Sequence, residues 1–202
     1  MYKVFFKDSY FLLTDKQNFL ETQSHFWIHE DVHSTQTFIL NLLNQQIPFR
    51  AILYSKDLEE LYSVFKSCFF YVRAAGGVVL QKNQILLIKR FGMYDLPKGH
   101  IEPNESIENC AIREVEEECG LQQVKIIETL PATLHIYPME KKWFLKKTDW
   151  FTMNCPLGIN LTPQKEEGIE EAFWFPLANL AEIKPHTYPS LAELLDKLPP
   201  TL

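Results

Sequence analysis

The sequence predicts a mixed α/β fold, and three observations carry that reading. Short runs rich in Phe, Val, Ile and Tyr alternate with helical patterns through the first 70 residues. Strand-like runs dominate from Phe69 onward. One segment, 106–119, breaks the second pattern with apolar residues at four-residue spacing on one side and carboxylates on another.

In chain order, VFF and YFLL flank Lys7-Asp8-Ser9 and predict a hairpin. A short strand follows at 26–28. Residues 35–44 (TQTFILNLLN) read as a helix and 49–54 as a strand. Residues 57–66 read as a second helix, with Asp57 and Glu60 spaced as a capping box. Strands are expected at 70–80, 84–89, 125–129, 133–137, 143–154 and 172–175, and a last helix near 190–197. Long loops are expected over 94–104 and 156–171, the kind of segment on which functional residues concentrate.

The helix at 106–119 is the most informative element. Ile107, Ala111 and Val115, with Ile112 and Cys119 beside them, form its packing stripe. Glu105 and Glu108 bring negative charge to its N-terminal end, and Gly120 is placed to end it in a left-handed conformation. Glu114, Glu117 and Glu118 stand at i, i+3 and i+4, so they share an arc of roughly 100°. With Glu116 they make an EVEEE run that contains no Lys or Arg, and like charges one turn apart repel. A cation is the missing partner. Oxygen-only ligands suit Mg²⁺ or Mn²⁺ rather than zinc, and Mg²⁺ held by a few carboxylates shares its remaining positions with water and substrate phosphate.

Composition narrows the function classes. A net charge of -6, with no basic tract, argues against nucleic acid as a nonspecific partner. No apolar run is long enough to span a bilayer, and Lys3, Lys7 and Asp8 interrupt the N-terminal apolar segment, so a cytoplasmic protein with no membrane partner is expected. Cys68, Cys110, Cys119 and Cys155 lack paired metal spacing and read as free thiols.

From Gly99 to Leu121 the chain reads Gly, five residues, Glu105, seven residues, Arg113-Glu114, Val115, one residue, Glu117-Glu118, one residue, Gly120 and Leu121. This resembles the Nudix box at every defined position. GGVVL (76–80), ILLIKR (85–90), YDLPKG (94–99) and EEAFWFPL (170–177) extend the resemblance over roughly 70–202. It implies a mixed sheet between helices, an α/β/α sandwich over 71–202, preceded by a small mixed α/β subdomain over 1–70. It also implies a Mg²⁺-dependent hydrolase, with Mn²⁺ able to substitute, that splits a nucleoside diphosphate linked to another group. The segments YDLPKGHIEP and KKTDWF look most similar to the diadenosine and diphosphoinositol polyphosphate branch, although Asn104 stands where glycine is common. The substrate expected is therefore a small molecule such as a diadenosine polyphosphate or an ADP-ribose-like nucleotide.

Carried over residue by residue, the resemblance makes Glu114, Glu117 and Glu118 metal ligands, with the Gly99 carbonyl as a backbone ligand. Arg113 orients the carboxylates and Glu105 supports the loop and helix geometry. The general base comes either from the box or from the loop PQKEEGIEEAFW, where Glu166 and Glu167 stand at a suitable distance and Glu167 is preferred. Lys98 and one of Lys146 and Lys147 are candidates for phosphate contact. Tyr94, His135, Tyr137, Trp143 and Trp150 are candidates for base stacking.

Two competing readings stand beside this one. His29-Glu30-Asp31-Val32-His33 fits the zinc-peptidase pattern H-E-x-x-H, which needs both histidines one turn apart on a helix. A noncatalytic Nudix sensor is the other; an intact box counts against it. Residues 1–70 are candidates for substrate specificity or for homodimerisation, and their composition does not choose between these.

Overall fold

The computed structural model describes residues 1–16, 25–45 and 47–198, so the last four residues of the expected second part lie outside the described residues. The chain divides into two compact units, 1–72 with 134–146, and 73–133 with 147–198.

In the first unit, β1 (Tyr2–Phe6) and β2 (Ser9–Thr14) form the expected antiparallel hairpin. The strand β2 pairs in parallel with β4 (Arg50–Tyr54), which pairs in parallel with β3 (His25–Ile28). The helices α1 (Val32–Asn44) and α2 (Leu58–Ser67) are N-capped by Asp31 and Asp57, whose carboxylates accept the Ser34 and Glu60 amides. Alternation along each strand sends Val4, Phe11, Leu13, Ala51 and Leu53 inward, where they pack with Ile39, Leu42, Leu61 and Phe65 of the two helices. Leu134, Ile136 and Leu145 join that core from a hairpin tip far along the chain.

That tip departs from the sequence expectation. The two short strands expected at 125–129 and 133–137 are one strand, β9 (Lys125–Met139), which pairs with β10 (Lys142–Asn154). Pro131 does not end β9: it lies exposed, three residues before β1 joins at Leu134, and costs at most one ladder hydrogen bond.

In the second unit the sheet order is β11, β6, β5, β10, β9, with β5 (Phe70–Gln81), β6 (Gln84–Arg90) and β11 (Ile169–Pro176) antiparallel in sequence order of contact. Two short strands, β7 (Met93–Asp95) and β8 (Lys98–His100), occupy what the sequence suggested was a loop; they pair with β6 and β5. The helix α3 (Ile107–Cys119) covers one face through Cys110, Ala111, Val115 and Cys119. The C-terminal helices α4 (Leu180–Ile183) and α5 (Pro189–Leu195) cover the other through Ile183, Leu191, Leu194 and Leu195. This is the α/β/α sandwich. Gly77 sets how closely α3 approaches, because a Cβ there would lie 2.6 Å from a Val115 methyl.

All four cysteines are free thiols. Among the described residues no helix is long and apolar enough to cross a membrane.

Candidate active site

Ser106 caps α3 by accepting the Asn109 amide, and Gly120 ends it at φ 69°, so the acidic stripe starts and stops where the sequence puts it. Asn104 sits in the turn before the cap at φ 66°, a left-handed conformation that asparagine tolerates better than most other non-glycine residues. The strand β8 carries Gly99 against the helix so tightly that a Cβ at 99 would stand 2.1 Å from the Glu114 carboxyl carbon. A side chain at 99 would have to push the Glu114 carboxylate aside.

Arg113 organises the carboxylates. Its Nε and one terminal nitrogen donate to both oxygens of Glu105, at 2.8 and 3.0 Å. The other terminal nitrogen donates to Glu114 at 2.8 Å and to Glu117 at 3.1 Å. The Arg113 hydrogen bonds hold the Glu105 carboxyl down at about 2. The same contacts push the Arg113 guanidinium above its ordinary range.

Burial differs along the stripe. The Glu118 side chain is 2% exposed, that of Glu114 14% and that of Glu117 51%. Desolvation pushes Glu118 up to about 7 despite its bond from the Lys98 amide at 2.9 Å, and it also raises Glu114. Two carboxylates that burial pushes towards the neutral form, set beside a backbone with no Cβ, fit a divalent cation in donor chemistry and in space. Among the described residues no three His, Cys, Asp or Glu side chains converge as a ready metal cage. Arg113 instead holds Glu114 and Glu117. Glu116 turns away and accepts the Val124 amide at 3.1 Å, which removes it from the cluster.

The loop after β10 delivers a further acid. Its Thr162 and Gln164 amides donate to the Cys119 and Glu118 carbonyls, satisfying the helix end and seating the turn Lys165–Glu167 beside it. Arg90, at the end of β6, then donates to Glu167 at 3.2 Å and lies 3.7 Å from Glu118. Sequence reading did not single out Arg90; its only signal was the change from apolar to basic at the end of ILLIKR. Asp95 was also missed. It is buried, accepts the Leu96 amide and pairs with the Lys98 ammonium, so Lys98 reaches Glu118 through its backbone while its side chain is held.

The remaining candidates separate. Tyr94 packs edge-on against Phe173, and its carbonyl accepts the Thr187 hydroxyl. Trp150 is fully buried and donates to Thr133, and Trp143 packs in the core of the first unit. His135, Tyr137 and Lys146 belong to the first unit. Lys147 pairs with Asp149. The zinc-peptidase pattern is corrected. His29 and Glu30 precede α1 and Asp31 is its N-cap, so His29 and His33 do not share a helix face, and His29 Nδ1 bonds Thr35 at 2.8 Å.

The NUDIX domain family profile matches residues 70–198. The chain belongs to the Nudix family. Two curated relatives are RNA pyrophosphohydrolases. That of Cronobacter sakazakii is 29% identical over 133 residues, covering 55% of this chain and 75% of its own. That of Acinetobacter baylyi is 29% identical over 145 residues, covering 61% and 87%. Among solved structures, the MutT protein from Methanosarcina mazei Go1 aligns at a TM-score of 0.50 and 17% identity, covering 64% of this chain and 93% of that one. That likeness supports the Nudix fold of the sandwich. This Nudix chain is a hydrolase of phosphoanhydride bonds, a class that works with divalent metal ions.

Proposed function

We propose that the chain is a Mg²⁺-dependent pyrophosphohydrolase of nucleotides that carry an internal diphosphate, with a diadenosine polyphosphate or an ADP-ribose-like nucleotide as substrate. The observation that carries this is the placing of Glu114 and Glu117 on Arg113 and of Glu114 against Gly99, with Glu118 one turn along the same helix and Glu167 brought towards it by Arg90. Glu114, Glu117, Glu118 and the Gly99 carbonyl would hold the ion. When bound, a divalent ion neutralises phosphate oxygens and orients a water.

The chain's own groups supply the rest. Glu167, about half exposed and held by Arg90, accepts the proton of the water that attacks phosphorus. Arg113 aims Glu114 and Glu117, and Glu105 keeps Arg113 in place by its two-point contact. Asp95 fixes Lys98, whose amide orients Glu118.

The names of the two relatives favour a second substrate, the 5′ diphosphate or triphosphate end of RNA, cleaved by the same groups. A panel of diadenosine polyphosphates, ADP-ribose, NAD(H), nucleotide sugars, CoA, diphosphoinositols, (d)NTPs and 5′-triphosphorylated RNA, assayed with Mg²⁺ and Mn²⁺, tests both. Turnover of one class above the others assigns the substrate, and no turnover of any with either ion refutes the proposal.

A further inference from the structure

The turn between β6 and β7 holds a residue that the carboxylate site does not explain. Arg90 pairs with Met93 across the hairpin, so Phe91 and Gly92 are its two turn residues, at φ 51° and 75°. Positive φ at both positions is what a two-residue type I′ turn requires, and asparagine or glycine meets it with little strain. Phenylalanine does not. Backbone strain of that kind persists only where the surroundings hold it, and it concentrates at sites that bind ligands.

The surroundings do hold it. The register of β11 on β6 shifts between Ile169 and Glu171, which leaves Glu170 as the extra residue of a bulge, and its carboxylate accepts the Gly92 amide at 2.9 Å. Gly168 meets the tip of the Phe91 ring, where a Cβ would stand 3.1 Å from Cζ. The Arg90 guanidinium carbon lies 5.6 Å from the ring centre, a cation–π contact. That same guanidinium reaches Glu167 at 3.2 Å and Glu118 at 3.7 Å. One side chain therefore links the ring to both carboxylates.

Core packing does not account for the ring. Phe91 is 74% exposed, more than any other large apolar side chain among the described residues. At that exposure Arg90 and Gly168 cover only a fraction of it, and most of the ring is open. Two of the aromatic residues that the sequence offered for stacking are used elsewhere, Tyr94 edge-on against Phe173 and Trp150 in the core.

We infer that Phe91 is the platform on which the nucleobase of the substrate stacks while its diphosphate is held at the α3 carboxylates. This rests on the nucleotide reading of that site. A base presents a π-face whatever its identity, and an aromatic ring backed by a guanidinium stacks on it. A nucleotide carries its base and its phosphates at opposite ends of a ribose, and the Arg90 guanidinium spans the corresponding gap between ring and carboxylates. Lys89, Arg90, Glu170 and Glu171 flank Phe91 on the two strands and are charged, which suits a small ligand better than the roughly 800 Å² per partner of a protein interface.

The test uses the full chain with Mg²⁺ and two hydrolysis-resistant probes. One is α,β-methylene-ADP, a mimic of the adenosine diphosphate part that both proposed substrates share. The other is methylenediphosphonate, the same phosphate mimic without a nucleoside. In calorimetry Phe91→Ala should weaken α,β-methylene-ADP about fivefold or more and leave methylenediphosphonate unchanged. Phe91→Trp should keep the nucleotide affinity, and its added fluorescence should be quenched by α,β-methylene-ADP and not by methylenediphosphonate. Phe91→Asn should lose affinity as Phe91→Ala does without lowering the thermal midpoint, because asparagine suits this turn.

Nucleotide affinity unchanged by Phe91→Ala, or both probes weakened alike, would overturn the inference and leave the metal site standing. A midpoint lowered by Phe91→Asn would make the ring a packing residue instead. A parent that binds neither probe would refute the nucleotide reading, and this inference with it.

Discussion

Glu118→Gln separates stability from activity in a way that only a buried metal-binding carboxylate explains. The Glu118 carboxyl is raised from 4.5 to about 7 with its side chain 2% exposed. At 1.36 kcal/mol per pKa unit, ionising it in the folded protein costs about 3 kcal/mol. Its pKa is higher folded than unfolded, so between pH 4.5 and 7 the folded state binds more protons and stability falls as pH rises.

The neutral isostere removes that dependence. Its carbonyl still accepts the Lys98 amide, but its NH₂ faces Arg90 rather than an acceptor, which costs about 1 kcal/mol. In EDTA the variant should therefore be about 2 kcal/mol more stable than the parent at pH 8. At pH 4 it should be about 1 kcal/mol less stable. Saturating Mg²⁺ should reverse the order at pH 8, because the ion stabilises only the form that binds it. Turnover should drop about 10²- to 10³-fold. Urea unfolding at both pH values, with and without Mg²⁺, reads all of this. A variant less stable than the parent at pH 8 in EDTA, or a difference that does not change with pH, would refute the burial reasoning, and near-parental turnover would refute the metal role.

Three further substitutions probe the rest of the site. Arg113→Ala strips Glu105 of the partner that lowers it from 4.5 to about 2. The parent should lose that stabilisation as pH falls from about 4.5 towards 2, the variant should lack it throughout, and urea midpoints at pH 3 and 7 should converge accordingly. Gly99→Ala sets a methyl 2.1 Å from the Glu114 carboxyl carbon and makes that side chain swing aside, so it should weaken Mg²⁺ binding in calorimetry while changing stability by only about 0.5 kcal/mol. Glu167→Gln should lower kcat about 10²-fold or more with little change in KM, whereas Arg90→Ala should lower kcat less. Glu167→Gln with the parental kcat would move the base elsewhere.

Local chemistry made much of this protein legible before any fold was known. The α3 carboxylate stripe, its Ser106 and Gly120 ends, the β1–β2 hairpin and the Asp57 cap all depend on neighbours within four residues, and periodicity records such contacts directly. Arg113 and Glu105 were legible as members of the box, but their two-point contact emerged only in the fold. Tertiary structure decided what pairs across distance. It gave the hairpin tip 134–146 to the first unit, buried Asp95 beneath Lys98, and turned Glu116 out of the cluster towards Val124. It brought Arg90 and Glu167 together across 77 positions and set His135, Tyr137, Phe144 and Phe70 in one aromatic row. Strand register, not local pattern, sets those meetings, and it depends on hydrogen-bond partners far away in the chain.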